Sequence, residues 1–155
     1  MQSRKKATNK ELTPRHFKQR NLACVNLNLR KASRAVTRYY DDRMRTLGIT
    51  STQFSLIGHL LHNPQQSIQT LADQLLTDRS TLSRNLKLLN QRSLVKYTQG
   101  KDKRTRIAAV TAKGKQIYAN AVPVWEGAQS EMLQILGDDG FKNLRRVTAA
   151  VSRQG

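Results

Sequence analysis

The sequence is short of cysteine, of acidic residues, of aromatic residues and of long apolar runs. Its single cysteine excludes an internal disulfide and a zinc ribbon, and is typical of a reducing compartment. No apolar run approaches the ~20 residues of a membrane span. The basic N-terminus has no apolar signal core. We therefore expect a cytoplasmic protein without a membrane partner.

Sequence signatures of catalysis are also missing. There is no phosphate-binding glycine loop, no Cys-x-x-Cys and no carboxylate pair in an apolar setting. His59 and His62 lie one helical turn apart and could share a metal, but few acids are near them in the sequence. We therefore expect neither an enzyme nor a cofactor, and no metal site.

Positive charge is what the sequence has in excess. Lysine and arginine number 28 against 10 acids, which gives a formal charge of +18 over 155 residues. Such a charge attracts polyanions, and nucleic acid is the first candidate. A non-specific architectural protein or an RNA-binding protein would share this charge and stays open as the alternative. RNA-binding modules use exposed aromatic side chains for stacking, whereas this chain has one Trp, four Tyr and three Phe.

Residues 67–91 have the pattern of two short helices joined by a tight turn. Ser67 and Asp78 are suitable N-caps for the two helices, because their oxygens can accept first-turn amides. Leu82, Leu86 and Leu89 then share one face of the second helix. The other face and its margins carry polar residues: Arg79, Ser80, Thr81, Ser83, Arg84 and Lys87. A DNA recognition helix needs this division of faces, although an ordinary amphipathic surface helix shows it too.

Two strand-like segments follow at 94–97 and 107–110, with Gly100 in the turn between them. The connecting segment carries Lys101, Lys103, Arg104 and Arg106. Packing explains such a basic hairpin tip poorly. A wing that follows a phosphate backbone or enters a minor groove explains it well. Asp102 is the only acid in the tip, and we expect it to pair with a neighbouring base and shape the loop.

This arrangement resembles the MarR family of bacterial transcription regulators. The resemblance rests on DRSTLSRNLKLLNQRSLV (78–95) and DKRTRIAAVTAKG (102–114), where Val110 replaces the more usual Leu, and it extends from about Leu22 to the end. It implies a mainly α fold with a small β-hairpin wing, a winged helix-turn-helix whose N- and C-terminal helices form a dimerisation region. It also implies a homodimer that binds a pseudo-palindromic operator in double-stranded DNA and is released by a small-molecule effector or an oxidant. We expect a repressor.

Charge and helical periodicity divide the chain into four segments. Residues 1–14 are expected to form a flexible basic arm, and residues 15–48 one long helix of the dimerisation region. Residues 49–111 are expected to form the winged helix-turn-helix DNA-binding domain, with a capping box of Thr50 and Gln53 at the start of its first helix. Residues 112–155 are expected to form C-terminal dimerisation helices, with Thr111 as the N-cap of the first and a break at 137–140.

Two further hypotheses concern the signal. Cys24 is a candidate redox sensor, because Lys18, Arg20 and Arg30 could favour its thiolate, and several MarR-type regulators that sense peroxide or hypochlorite carry a reactive cysteine in a comparable helix. The alternative is a small buried hydrophobic residue. A candidate ligand pocket is formed by Tyr39, Tyr40, His59, Tyr118 and Trp125. These residues could equally belong to the core and the dimer interface.

Overall fold

The computed structural model describes residues 14–64, 66–99 and 106–153. The helices are α1 (Pro14–Ala23), α2 (Val25–Met44), α3 (Ser51–His62), α4 (Ile68–Gln74), α5 (Arg79–Gln91) and α6 (Ala112–Val151), with a 3₁₀ turn at Arg45–Leu47 and strands β1 (Val95–Gln99) and β2 (Arg106–Val110). The expected mainly α fold with one β-hairpin is confirmed. None of the described helices is long and apolar enough to cross a membrane.

The chain divides into two compact units, residues 1–36 and residues 37–155. In the first unit, the single helix expected from residue 15 is interrupted at Cys24, between α1 and α2. The Asn28 side-chain amide donates to the carbonyl oxygens of Leu22 and Cys24, each at 2.9 Å. Asparagine side chains compete in this way with the backbone hydrogen bonds of a helix. A local side-chain contact therefore accompanies the break, without glycine or proline.

Helix starts in the second unit are where the sequence predicts them. Thr50 and Gln53 form the expected capping box at α3. Ser67, Asp78 and Thr111 each accept the backbone amide three residues further on, at 3.0, 2.8 and 3.0 Å. Each cap satisfies an amide that has no partner within its own helix.

The core of the second unit surrounds α3 and α5. Three leucines of α5, Leu82, Leu86 and Leu89, are buried in it. From α3 come the buried side chains of Phe54, Leu56, Ile57 and Leu60. Helix α3 is thus the buried centre that its nearly all-round apolar sequence predicts.

The β-hairpin is fixed at its base to the start of α6. Strands β1 and β2 are antiparallel, with Val95 opposite Val110. The Thr111 amide donates to the Leu94 carbonyl oxygen at 3.0 Å. Gly114 lies so close that an added Cβ would be 2.1 Å from the same carbonyl oxygen. Only a glycine permits this approach of backbone to backbone.

Helix α6 has one kink. Gly137 adopts φ 65° and ψ 168°, outside the helical region, and the residues after it are helical again. The expected break over 137–140 is therefore confined to one residue, Gly137, whose combination of φ and ψ is essentially restricted to glycine. Beyond the kink Leu144, Val147 and Val151 are exposed, at 45%, 39% and 59%.

Candidate nucleic-acid interface

Helix α5 presents a polar face to solvent because its apolar face is packed in the core. Leu86 and Leu89 have no exposed surface, and Leu82 has almost none. The remaining face carries the exposed residues Arg79, Ser80, Thr81, Arg84 and Lys87, and the half-buried Ser83. Within the described ranges no acid forms an ion pair with these cations. Their charges are thus available to an anionic partner.

Asp78 organises the first turn of α5. Its Oδ1 accepts the Thr81 amide at 2.8 Å and the Ser80 hydroxyl at 2.5 Å. These donors hold the pKa of the Asp78 carboxyl far below its usual range, with the Ser80 hydrogen bond as the largest contribution. The carboxylate therefore stays ionised at neutral pH and keeps the turn in one arrangement.

One of the predicted basic wing residues, Arg106, lies in the described part of the hairpin. Arg106 is exposed, and its guanidinium carbon lies 3.8 Å from the centroid of the Tyr97 ring. A cation over an aromatic face is held by the ring quadrupole. The other predicted wing residues, Lys101, Asp102, Lys103 and Arg104, lie outside the described residues.

The C-terminal end of α5 is held by contacts that the sequence does not reveal. Arg92, which follows the helix, donates from Nη1 to the Gly48 carbonyl oxygen. Its own carbonyl oxygen accepts the Lys113 ammonium at 3.1 Å. Arg92 thus links the end of α5 to the turn before α3 and to α6. Its position at a helix C-cap is a weak signal, and its partner lies 44 residues away.

Some of the residues predicted to form a ligand pocket line one small cavity. It has a volume of about 310 Å³ and lies between α3 and α6. The Phe54 and Tyr118 rings stack there, with centroids 4.7 Å apart. Its lining is Phe54, Ser55, Gly58, His59, His62, Asn63, Tyr118 and Trp125. Three of the five predicted residues are therefore brought together, namely His59, Tyr118 and Trp125.

Tyr39 and Tyr40 do not line this cavity. Tyr40 is buried against Ala128 and Met132, and its hydroxyl donates to Gln129 at 2.6 Å. Tyr39 donates its hydroxyl to Glu131. The two tyrosines therefore bind the end of α2 to the middle of α6, which the sequence could not show because the partners lie about 90 residues apart.

Arg43 completes the contact between Tyr39 and Glu131. Its guanidinium pairs with the Glu131 carboxylate and lies 3.4 Å from the Tyr39 ring centroid. The Tyr39 hydrogen bond and then the Arg43 bond lower the pKa of Glu131. The same hydrogen bond raises the pKa of Tyr39. We call these three residues the α2–α6 cluster.

Cys24 is exposed in the single chain, at the break between α1 and α2. Its sulfur accepts the Leu27 amide at 3.5 Å, at the first turn of α2. Lys18, Arg20 and Arg30 are exposed in the same unit. In the described ranges, no group of three or more His, Cys, Asp or Glu residues is placed to hold a metal ion.

Comparison with known proteins identifies this fold. The sequence profile of the MarR family matches residues 47–105. The Mycobacterium tuberculosis transcriptional regulator MosR, in its crystal structure in complex with DNA, is 32% identical and has a TM-score of 0.76, with 84% of this chain and 95% of that chain covered. The chain belongs to the MarR family. It is therefore a DNA-binding transcription regulator, as the motifs at 78–95 and 102–114 predict.

Two other MarR-type proteins show how far sequences with this fold diverge. The HTH-type transcriptional regulator MhqR of Bacillus subtilis is 22% identical over 112 residues, which is 72% of this chain and 77% of that protein. CouR of Rhodococcus jostii, in its crystal structure bound to p-coumaroyl-CoA, is 15% identical with a TM-score of 0.69, covering 83% and 91% of the two chains. At this identity CouR shares the fold alone.

Proposed function

We propose that this MarR-family regulator binds a pseudo-palindromic operator in double-stranded DNA as a homodimer, acts in the cytoplasm and represses transcription. The division of faces on α5 carries the proposal: its leucines are buried while its polar side remains exposed, and within the described ranges its cations form no ion pair. The 32% identical MosR, in a complex with DNA, supports it. We propose that the protein acts by binding and not by catalysis.

We assign the contacts by side-chain chemistry and position on α5. Base edges in the major groove are read by Ser80, Thr81, Ser83 and Arg84, and phosphates are bound by Arg79 and Lys87. The wing residues Lys101, Lys103, Arg104 and Arg106 follow the minor groove or its backbone, with Asp102 shaping the loop. The stacking of Arg106 on Tyr97 supports an ordered base for this wing.

The proposed homodimer rests on apolar surface that the single chain leaves uncovered. Leu144, Val147 and Val151 are exposed on α6 beyond the kink. We propose that residues 15–48 and 112–155 supply dimerisation helices, residues 49–111 bind DNA and residues 1–14 grip phosphates non-specifically. A two-fold dimer places two recognition helices about one DNA turn apart, which explains a palindromic site.

The signal that releases the DNA is proposed to act at one of two places. The cavity at His59, Tyr118 and Trp125 would bind a small effector, and CouR, which shares the fold, is seen bound to p-coumaroyl-CoA.

Alternatively, a peroxide would oxidise the exposed Cys24 thiol to a sulfenic acid, the peroxide being reduced to water or an alcohol. Cys24→Ser should then bind DNA normally and ignore the oxidant. Wild-type binding that is unaffected by peroxide and hypochlorite would contradict the redox route.

A competition experiment tests the DNA proposal. Genomic fragments bound by the protein are selected, and the recovered palindromic duplex is labelled. Unlabelled operator, random duplex and single-stranded RNA of equal length then compete for the protein at fixed salt. We expect the operator to compete at the lowest concentration, with two chains per duplex. Equal competition by random duplex would favour an architectural protein, and stronger competition by RNA would favour an RNA-binding protein.

A further inference from the structure

The hydrogen-bonding state of Ser80 follows from its neighbour. Its Oγ lies 2.5 Å from Asp78 Oδ1, which also accepts the Thr81 amide at 2.8 Å. An ionised carboxylate can only accept hydrogen bonds, so the serine is the donor. A hydroxyl has one hydrogen and two lone pairs. With its hydrogen donated to Asp78, Ser80 can offer an outside partner only an acceptor.

This state sets Ser80 apart from the charged residues beside it. Arg79, Arg84 and Lys87 are donors without acceptor atoms in their side chains. Ser80 is exposed on the same side of α5 and offers the opposite polarity. Phosphate oxygens are acceptors, so Ser80 in this state cannot bind the DNA backbone, which an unconstrained serine often does.

We infer that Ser80 is a specificity-determining residue that accepts a hydrogen bond from the exocyclic amine of cytosine or adenine at one position in each half-site. In the major groove, cytosine N4 and adenine N6 are donors, whereas guanine N7 and O6 and thymine O4 are acceptors. A guanine or thymine in the contacted position would bring two acceptors together. The inference rests on the proposed entry of α5 into the major groove, and adds which bases one residue selects.

The first experiment locates the position. The full-length protein and the Ser80→Ala variant each select from duplexes with randomised half-sites. We expect the wild type to prefer C or A over G or T at one position that Ser80→Ala leaves unselective, while the other positions keep their preferences. Thr52→Ala, which removes an exposed hydroxyl from α3, is the matched control and should select as the wild type does. Identical preferences for Ser80→Ala and wild type would overturn the inference.

The second experiment removes the amine itself. Duplexes carry purine in place of the selected adenine, or 2-pyrimidinone in place of the selected cytosine. We expect roughly tenfold weaker binding by the wild type and little further loss by Ser80→Ala, because the alanine has no hydrogen bond to lose. Ser80→Thr retains the hydroxyl and should retain the tenfold sensitivity. An equal loss for wild type and Ser80→Ala would assign the amine to another residue and overturn the inference.

Folding and the proposed function are checked separately. Circular dichroism and the thermal midpoint verify that Ser80→Ala is folded, and Ser80→Thr provides a second variant. A wild-type protein that enriches no site in the selection contradicts the proposed function. A wild type that enriches a site whose base preferences do not depend on Ser80 contradicts only the inference about Ser80.

Discussion

Helix α5 and the end of α6 both carry apolar residues at helical spacing, and they differ in whether those residues are buried. The leucines of α5 are buried in the core of its own chain, and its polar face is left in solvent. On α6 beyond Gly137, it is the apolar residues Leu144, Val147 and Val151 that are exposed. An amphipathic pattern therefore shows that a helix has two faces, but only burial shows which face still lacks a partner.

This difference in burial suits the two helices to different partners: DNA for the polar face of α5, and a second copy of the chain for the apolar residues at the end of α6. Burial already stabilises α5, at about 1.5–3 kcal/mol for each fully buried leucine, so its polar face can bind DNA on a fixed support. The end of α6 still has apolar area to remove from water, and a second copy of the chain would remove it. The predictions below test each side of this comparison.

The largest effect is expected from the buried face of α5. Leu86 has no exposed surface, so Leu86→Ala should lower the free energy of unfolding by about 2–5 kcal/mol. Leu88 on the same helix is 43% exposed, and Leu88→Ala is the matched control with an expected loss under about 1 kcal/mol. Urea unfolding followed by circular dichroism measures both. Equal losses would show that the two faces of α5 do not differ in packing.

A smaller effect is expected at the end of α6. The double substitution of Leu144→Asp and Val147→Asp should weaken self-association by about 2 kcal/mol or more, or roughly 30-fold, because charge replaces apolar contact at the proposed interface. Sedimentation velocity over a micromolar concentration series measures the shift. Gln116→Asp changes the charge near the other end of the same helix and should leave association intact. A wild type that is monomeric at micromolar concentration contradicts the dimer.

The polar face of α5 should differ from the wing in what it contributes. Arg84→Ala should cost ~1–3 kcal/mol and relax selectivity at one base position, if Arg84 pairs with a guanine. Lys103→Ala should weaken binding to specific and random DNA alike. It should also reduce the magnitude of the slope of log K against log salt by about 1, which corresponds to the loss of one phosphate contact. Fluorescence anisotropy at several salt concentrations measures both. Equal losses on both kinds of DNA for Arg84→Ala would reassign it to the backbone.

The smallest effect on stability is expected in the middle of α6. Unlike the end of α6, this part of the helix already has partners, because Glu131 contacts Tyr39 and Arg43 on α2. The lowered pKa of Glu131 means that the α2–α6 cluster stabilises the fold above the ordinary carboxyl pKa of 4.5, and loses this contribution as pH falls through the lowered value. The stability difference between wild type and Glu131→Gln should therefore shrink from pH 7 to pH 3. Urea midpoints at each pH measure it. A difference that is constant with pH would exclude an ionised Glu131 from the cluster.

Local interactions are what the sequence predicts well in this molecule. The caps at Thr50, Ser67, Asp78 and Thr111 are confirmed, because each joins a side chain to an amide three residues away. The buried leucines of α5 are confirmed for a similar reason, since helical spacing alone places them on one face. The bounds of α5 and the face that it buries were thus predictable.

Contacts between distant residues are what the sequence leaves out. Tyr39 and Tyr40 are adjacent aromatics that suit a ligand pocket, yet their partners Glu131 and Gln129 assign them to the α2–α6 contact. Arg92 and Gly48 were equally unpredictable as a pair. The hydrogen bond of Ser80 is intermediate between the predictable caps and the unpredictable distant contacts. Its partner is only two residues away, but which atom donates becomes clear only from the geometry at Asp78.

The lack of a side chain at Gly114 limits which residues can replace it in this regulator. A methyl group there would collide with the Leu94 carbonyl oxygen at the root of the hairpin. Gly114→Ala would therefore push the base of the hairpin and the start of α6 apart without changing any residue proposed to contact DNA. The direction in which strands β1 and β2 leave the core thus depends on a position outside the hairpin, and a substitution there can displace the hairpin while its basic residues are unchanged.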